Sequence, residues 1–134
     1  MSAILTGPKG FGPDVEGEIL LSRDTFSIRY DMDRETGVIA RRGHALEGRS
    51  LAGKVVYFPA VQGGVAAGRA FLALVQRGVA PAAVLFGRTN PVMIQGLALA
   101  GIPAMHRLTP DPLIVLDSGA RVHVSPARGV VEVL

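Results

Sequence analysis

Lys54-Val55-Val56-Tyr57-Phe58 is followed by Pro59-Ala60-Val61-Gln62-Gly63-Gly64-Val65-Ala66-Ala67-Gly68-Arg69, and this stretch decides the fold. Val55 to Phe58 is a short apolar, β-branched and aromatic run that reads as a buried strand. Val65 to Arg77 reads as a helix, with Val65, Gly68, Leu72 and Val75 at helical spacing. Gln62, Arg69 and Gln76 lie seven apart and are expected to share another face. Gly78, with Pro81 soon after, is the expected stop. Ala82 to Phe86 is a second buried strand, so the order strand, helix, strand predicts a parallel βαβ unit with a right-handed crossover.

Working outward, Val15 to Leu21 is strand-like and Val38-Ile39-Ala40 is a short strand. Val92 to Ala100 is a short helix ended by Gly101 and Pro103. Leu113 to Leu116, Arg121 to Val124 and Val130 to Val133 are read as strands. Residues 1–13, rich in Gly and Pro, read as a loose N-terminal arm. With 134 residues, 49% hydrophobic and 19% charged, the chain reads as one compact α/β domain over residues 1–134.

Composition narrows the function. There is no Cys, which removes disulfides, thiolate-held clusters and a Cys nucleophile from this chain. No apolar run reaches the roughly 20 residues that a membrane span needs, and the N-terminus lacks the pattern of a secretory signal; a cytoplasmic protein is expected. The net charge of +3 comes almost wholly from Arg, but only Arg41 and Arg42 are adjacent. No aromatic residues interleave with the Arg residues to stack bases, so nucleic-acid binding is not expected.

A glycine turn between a strand and a helix offers backbone N–H groups to an anion or carboxylate. The candidate substrate-binding residues are therefore Gln62, Gly63, Gly64, Val65 and Arg69. Gly63-x-x-x-x-Gly68-Arg69-Ala70 falls short of a phosphate-binding P-loop, with Arg for the Lys and Ala for the magnesium-binding hydroxyl. Asp31-x-Asp33-x-Glu35 opens like a calcium loop, but Thr36 stands where glycine is required and the closing Glu is missing; it reads as a solvated acidic turn. Asp33 joins the candidates as a hydrogen-bond acceptor in that turn. His44, in a loop bounded by Gly43 and Gly48, is the histidine expected nearest a site. His44, His106 and His123 lack metal-ligand spacing, so no metal site is expected. Ser27 is read as a capping or packing residue, and no catalytic residue is assigned.

Several segments together resemble the small, swivel-domain subunit of the aconitase X proteins. They are Ser27 through Asp33-Arg34-Glu35-Thr36-Gly37-Val38-Ile39, His44-Ala45-Leu46-Glu47-Gly48, Leu51-Ala52-Gly53-Lys54-Val55, Pro59 to Gly68, Pro81-Ala82-Ala83, and Gly96 to Pro103. The resemblance implies a swivelling β/β/α domain with a β-rich, barrel-like sheet and a few flanking helices. It also implies a large partner subunit carrying an iron–sulfur cluster, and a hydro-lyase acting on a small hydroxy acid, with this subunit closing the active site. The family's loop reads Gly-Ser-Ser after an Arg and its serine moves the proton; Gly64 occupies that position here, and glycine has no side chain to serve as a base. The other reading of the same fold is a non-catalytic small-molecule-binding or regulatory module, self-associating when isolated.

Overall fold

The computed structural model describes residues 3–134. The strands are β1 (Ile4–Thr6), β2 (Val15–Leu21), β3 (Phe26–Ser27), β4 (Val55–Phe58), β5 (Val61–Gln62), β6 (Ala83–Phe86), β7 (Ala104–His106), β8 (Arg121–Ser125) and β9 (Val130–Val133). The α-helices are α1 (Ala67–Arg77), α2 (Pro91–Ala100) and α3 (Pro112–Val115). Seven strands form one mixed sheet in the order β1-β9-β8-β2-β4-β6-β7. Its β2-β4-β6-β7 part is parallel and its β2-β8-β9-β1 part antiparallel. The two edges are bridged to each other: Thr6 pairs with Thr109, just past β7, and Phe11 pairs with Ala104 of β7. These bridges make the sheet barrel-like.

Strand alternation divides the apolar residues between two cores. Leu5, Ile19, Val55, Leu85, Met105, Val122 and Val131, one from each strand of the large sheet, point to one side and fill the barrel interior. Leu20, Val56, Phe58, Val84 and Phe86 point to the other side, where α1, α2 and the excursion between β2 and β4 cover them. All four residues of β4 and all four of β6 are buried, which is why both runs read as continuously apolar rather than alternating.

The βαβ reading holds: β4 and β6 are parallel, α1 lies between them in the chain, and Gly78 closes α1 in the left-handed conformation. Several local readings are corrected. The arm at 1–13 is not loose over its described part: Ile4–Thr6 is an edge strand on β9, and Gly7 and Gly10 donate to the carbonyls of Gly129 and Pro126. The partners that order it lie more than 90 residues away, out of reach of a local reading. Leu113 to Leu116 lies largely within a helical turn, because the Asp111 carboxylate caps it through Leu113 N–H and Pro112 sits at its first position.

The buried side of α1 is Ala67, Ala70, Phe71 and Leu74, whereas Leu72 and Val75 are 42% exposed and Val65, before the helix, is 92% exposed. Small residues on this side allow close packing against α2. Gln62 lies in β5, off the helix that carries Arg69 and Gln76. Val38 and Ile39 make single bridges, to Ser50 and Met32, in place of a regular strand.

Candidate functional site

The excursion between β2 and β4 begins with β3, whose Phe26 ring stacks on Phe58 of β4 with centroids 4.4 Å apart. β3 pairs in parallel with β5, placing Phe26 opposite Val61 and Ser27 opposite Gln62. This pair brings the segment from Ser27 to Tyr30 against the glycine turn that leads into α1. Two clefts result, and Gln62 lines both.

The first cleft, of about 380 Å³, is lined by Asp24, Thr25, Asp31, Arg41, Arg42, Gly43, His44 and Gln62. Asp31 is 2% exposed, so the expectation of a solvated acidic turn fails at this residue. One of its carboxylate oxygens accepts from Arg41 Nη1 at 3.0 Å and the other from Ser27 N–H at 2.8 Å. Such partners are what a buried carboxylate needs. His44 is buried and its orientation is fixed. Its Nδ1 accepts from Leu46 N–H at 3.0 Å, so the ring proton sits on Nε2, which donates to the Thr25 carbonyl at 3.0 Å. The same Nε2 lies 3.8 Å from Asp31.

The second cleft, of about 360 Å³, is lined by Ser27, Ile28, Arg29, Tyr30 and the turn from Gln62 to Ala66. Its geometry is set by the N-terminus of α2. Asn90 caps that helix by accepting from Met93 N–H at 2.8 Å, and its Nδ2 donates to the Gly63 carbonyl at 2.8 Å. Gly64 has φ +127°, and a Cβ placed on it would stand 3.1 Å from Met93 N. The turn is therefore built for glycine at this position.

Of the sequence-derived candidates, Gln62, Gly63, Gly64 and Val65 line the second cleft, and His44 lines the first together with Gln62. Arg69 is exposed on α1 and lines neither cleft. Asp33 is exposed in its turn, where it accepts from Glu35 N–H at 2.8 Å. Asp31 and Arg41 are brought to the first cleft by the fold and were not candidates for the site.

A family model described as the aconitase X swivel domain matches residues 4–133. The chain belongs to the aconitase X swivel-domain family. It is 34% identical over 119 residues to the phosphomevalonate dehydratase small subunit of Methanococcoides burtonii, covering 89% of this chain and 87% of that one. It is 32% identical over 130 residues to the protein of the same name from Thermococcus gammatolerans, covering 97% of each. Its fold matches the crystal structure of Thermococcus kodakaraensis aconitase X, with a TM-score of 0.90, 30% identity and 98% of each chain covered.

The residues present do not suit an iron–sulfur cluster. The sequence has no Cys, and among the described residues no group of three His, Asp or Glu side chains could hold a metal ion. No helix among the described residues is long and apolar enough to cross a membrane.

Proposed function

We propose that this swivel domain is the small subunit of an aconitase X-type hydro-lyase that removes water from a small hydroxy acid, with phosphomevalonate the first substrate to test. The observation that carries this reading is near end-to-end similarity to proteins named as dehydratase small subunits, in sequence and in fold. Such a subunit works with a cluster-bearing large partner, which accounts for a chain with no cluster ligands of its own.

In this reading the rim formed by Arg41, Arg42 and the turn from Gln62 to Val65 faces the partner and the substrate. Arg41 neutralises the buried Asp31 and leaves further guanidinium N–H groups at the mouth of the first cleft, suited to a carboxylate or phosphate. Backbone N–H groups of the glycine turn add neutral donors. Closure of this face over the substrate would exclude water around the reacting centre. Gly64 cannot act as a base, so the proton is moved by another group.

The test is an anaerobic pull-down of the tagged chain from its native extract. The expected result is a stoichiometric, cysteine-containing partner with iron–sulfur absorbance, in a complex that dehydrates a hydroxy acid. Recovery of the chain alone or only with itself, in good yield, would favour a stand-alone binding module.

A further inference from the structure

Among the described residues the buried serines are Ser22, Ser27 and Ser125. The hydroxyl of Ser22 donates to the Asp24 carbonyl at 2.7 Å, and that of Ser125 donates to Asp14 at 3.0 Å. Ser27 differs. It is only 6% exposed, yet its hydroxyl has no hydrogen-bond partner among the described residues, and the residue lines the second cleft. Among the described residues Thr89 Oγ1 is the one fully buried side-chain polar atom without a partner, so the unbonded Ser27 hydroxyl is open to the cleft, where an oxygen from outside the chain can take the place of water.

The backbone around Ser27 is, by contrast, fully tied. Its N–H donates to the buried carboxylate of Asp31, and its carbonyl accepts from Asp31 N–H at 3.0 Å. Arg41 holds the same carboxylate from the other side. Phe26, the preceding residue, is stacked on Phe58. The following strand pairing sets Ser27 opposite Gln62, immediately before Gly63 and Gly64. A rigid backbone carrying an unbonded hydroxyl beside a glycine turn is the arrangement of a preorganised ligand contact.

We propose that the Ser27 hydroxyl, and not a side chain of the glycine turn, is the group of this subunit that hydrogen-bonds an oxygen of the bound hydroxy acid. This rests on the hydro-lyase reading above. It replaces the packing role that the sequence suggested for Ser27, and it supplies a hydroxyl next to the position that Gly64 leaves without one.

Two measurements test it. In the complex with the large subunit, Ser27→Ala is expected to raise KM for phosphomevalonate about tenfold, the loss of one good hydrogen bond. The melting temperature should stay unchanged, and Ser27→Thr should recover part of the loss. Unchanged KM and kcat in an active complex would overturn the proposal.

The second measurement uses the absence of Cys, which makes Ser27→Cys a unique thiol. In the folded, isolated chain, iodoacetamide should alkylate this thiol. Reaction only after unfolding in urea would overturn the proposal, because the position would then be closed to the cleft. A complex inactive on every hydroxy acid offered, with the thiol of Ser27→Cys reactive in the folded chain, would support the cleft placement of Ser27 while overturning the hydro-lyase reading.

Discussion

Gly64 stands where the family resemblance leads one to expect a serine, and its surroundings disfavour any side chain there. With φ at +127° and Met93 N 3.1 Å from a built Cβ, any side chain meets both backbone strain and a backbone neighbour. Gly64→Ser is expected to destabilise the chain by about 1–2 kcal/mol, the cost of placing an L residue in this region. A drop in the urea midpoint with an unchanged slope would show it, and equal stability would mean that the turn adapts freely. Glycine at 64 was legible in the sequence as a missing side chain. That it is held by Met93 was not, because the two residues are brought together only when α2 docks on the turn.

Asn90 joins an element to the site. Its Oδ1 caps α2 and its Nδ2 holds the Gly63 carbonyl. Asn90→Ala should cost about 1 kcal/mol through loss of the cap. Asn90→Asp keeps the cap acceptor but loses the donor to Gly63. It should therefore retain helix stability while amide exchange in the turn from Gln62 to Val65 speeds up, and unchanged exchange would refute the tether. A second contact between elements is the crossing of α1 and α2, where a Cβ on Gly96 would lie 2.6 Å from Gly68 N and 2.7 Å from Ala67 Cβ. Alanine would gain about 1 kcal/mol of helix propensity. Overpacking against backbone costs about 1–3 kcal/mol, so Gly96→Ala should be net destabilising in urea titration. The sequence marked α1 and its end at Gly78 well. It misled on the buried side, since Val65, Leu72 and Val75 are larger apolar residues than Ala67 and Ala70, and close helix packing selects small ones.

Across the whole molecule, β2 and β8 are held together by a cluster of charges as well as by the ladder. His123 lies opposite Glu16 and takes both carboxylates, Glu16 at Nδ1 and Asp14 at Nε2, each at 3.0 Å. The bond to Glu16, then that to Asp14, raises the His123 pKa above its usual 6.5, while bonds from His123 and Ser125 lower that of Asp14 below 3.8. The His123 contribution is complete below about pH 6.5 and is lost as pH rises through its raised pKa; the Asp14 contribution is complete above about pH 3.8 and is lost as pH falls through its lowered pKa. Wild type should therefore exceed His123→Gln in stability most clearly at about pH 5 and lose that margin as pH rises. A margin that does not change with pH would refute the ion cluster. Solvent exposure keeps the effect small.

The sequence alone determined the central βαβ unit, the glycine turn and the lack of cluster ligands, because these follow from local apolar runs, glycine punctuation and residue type. Only the tertiary structure decided that the N-terminal segment is an edge strand, that Asp31 is buried and paired with Arg41, and that Ser27 faces a cleft with a free hydroxyl. Each of these depends on partners set by strand pairing and packing, and no local pattern in the chain encodes where such partners will stand.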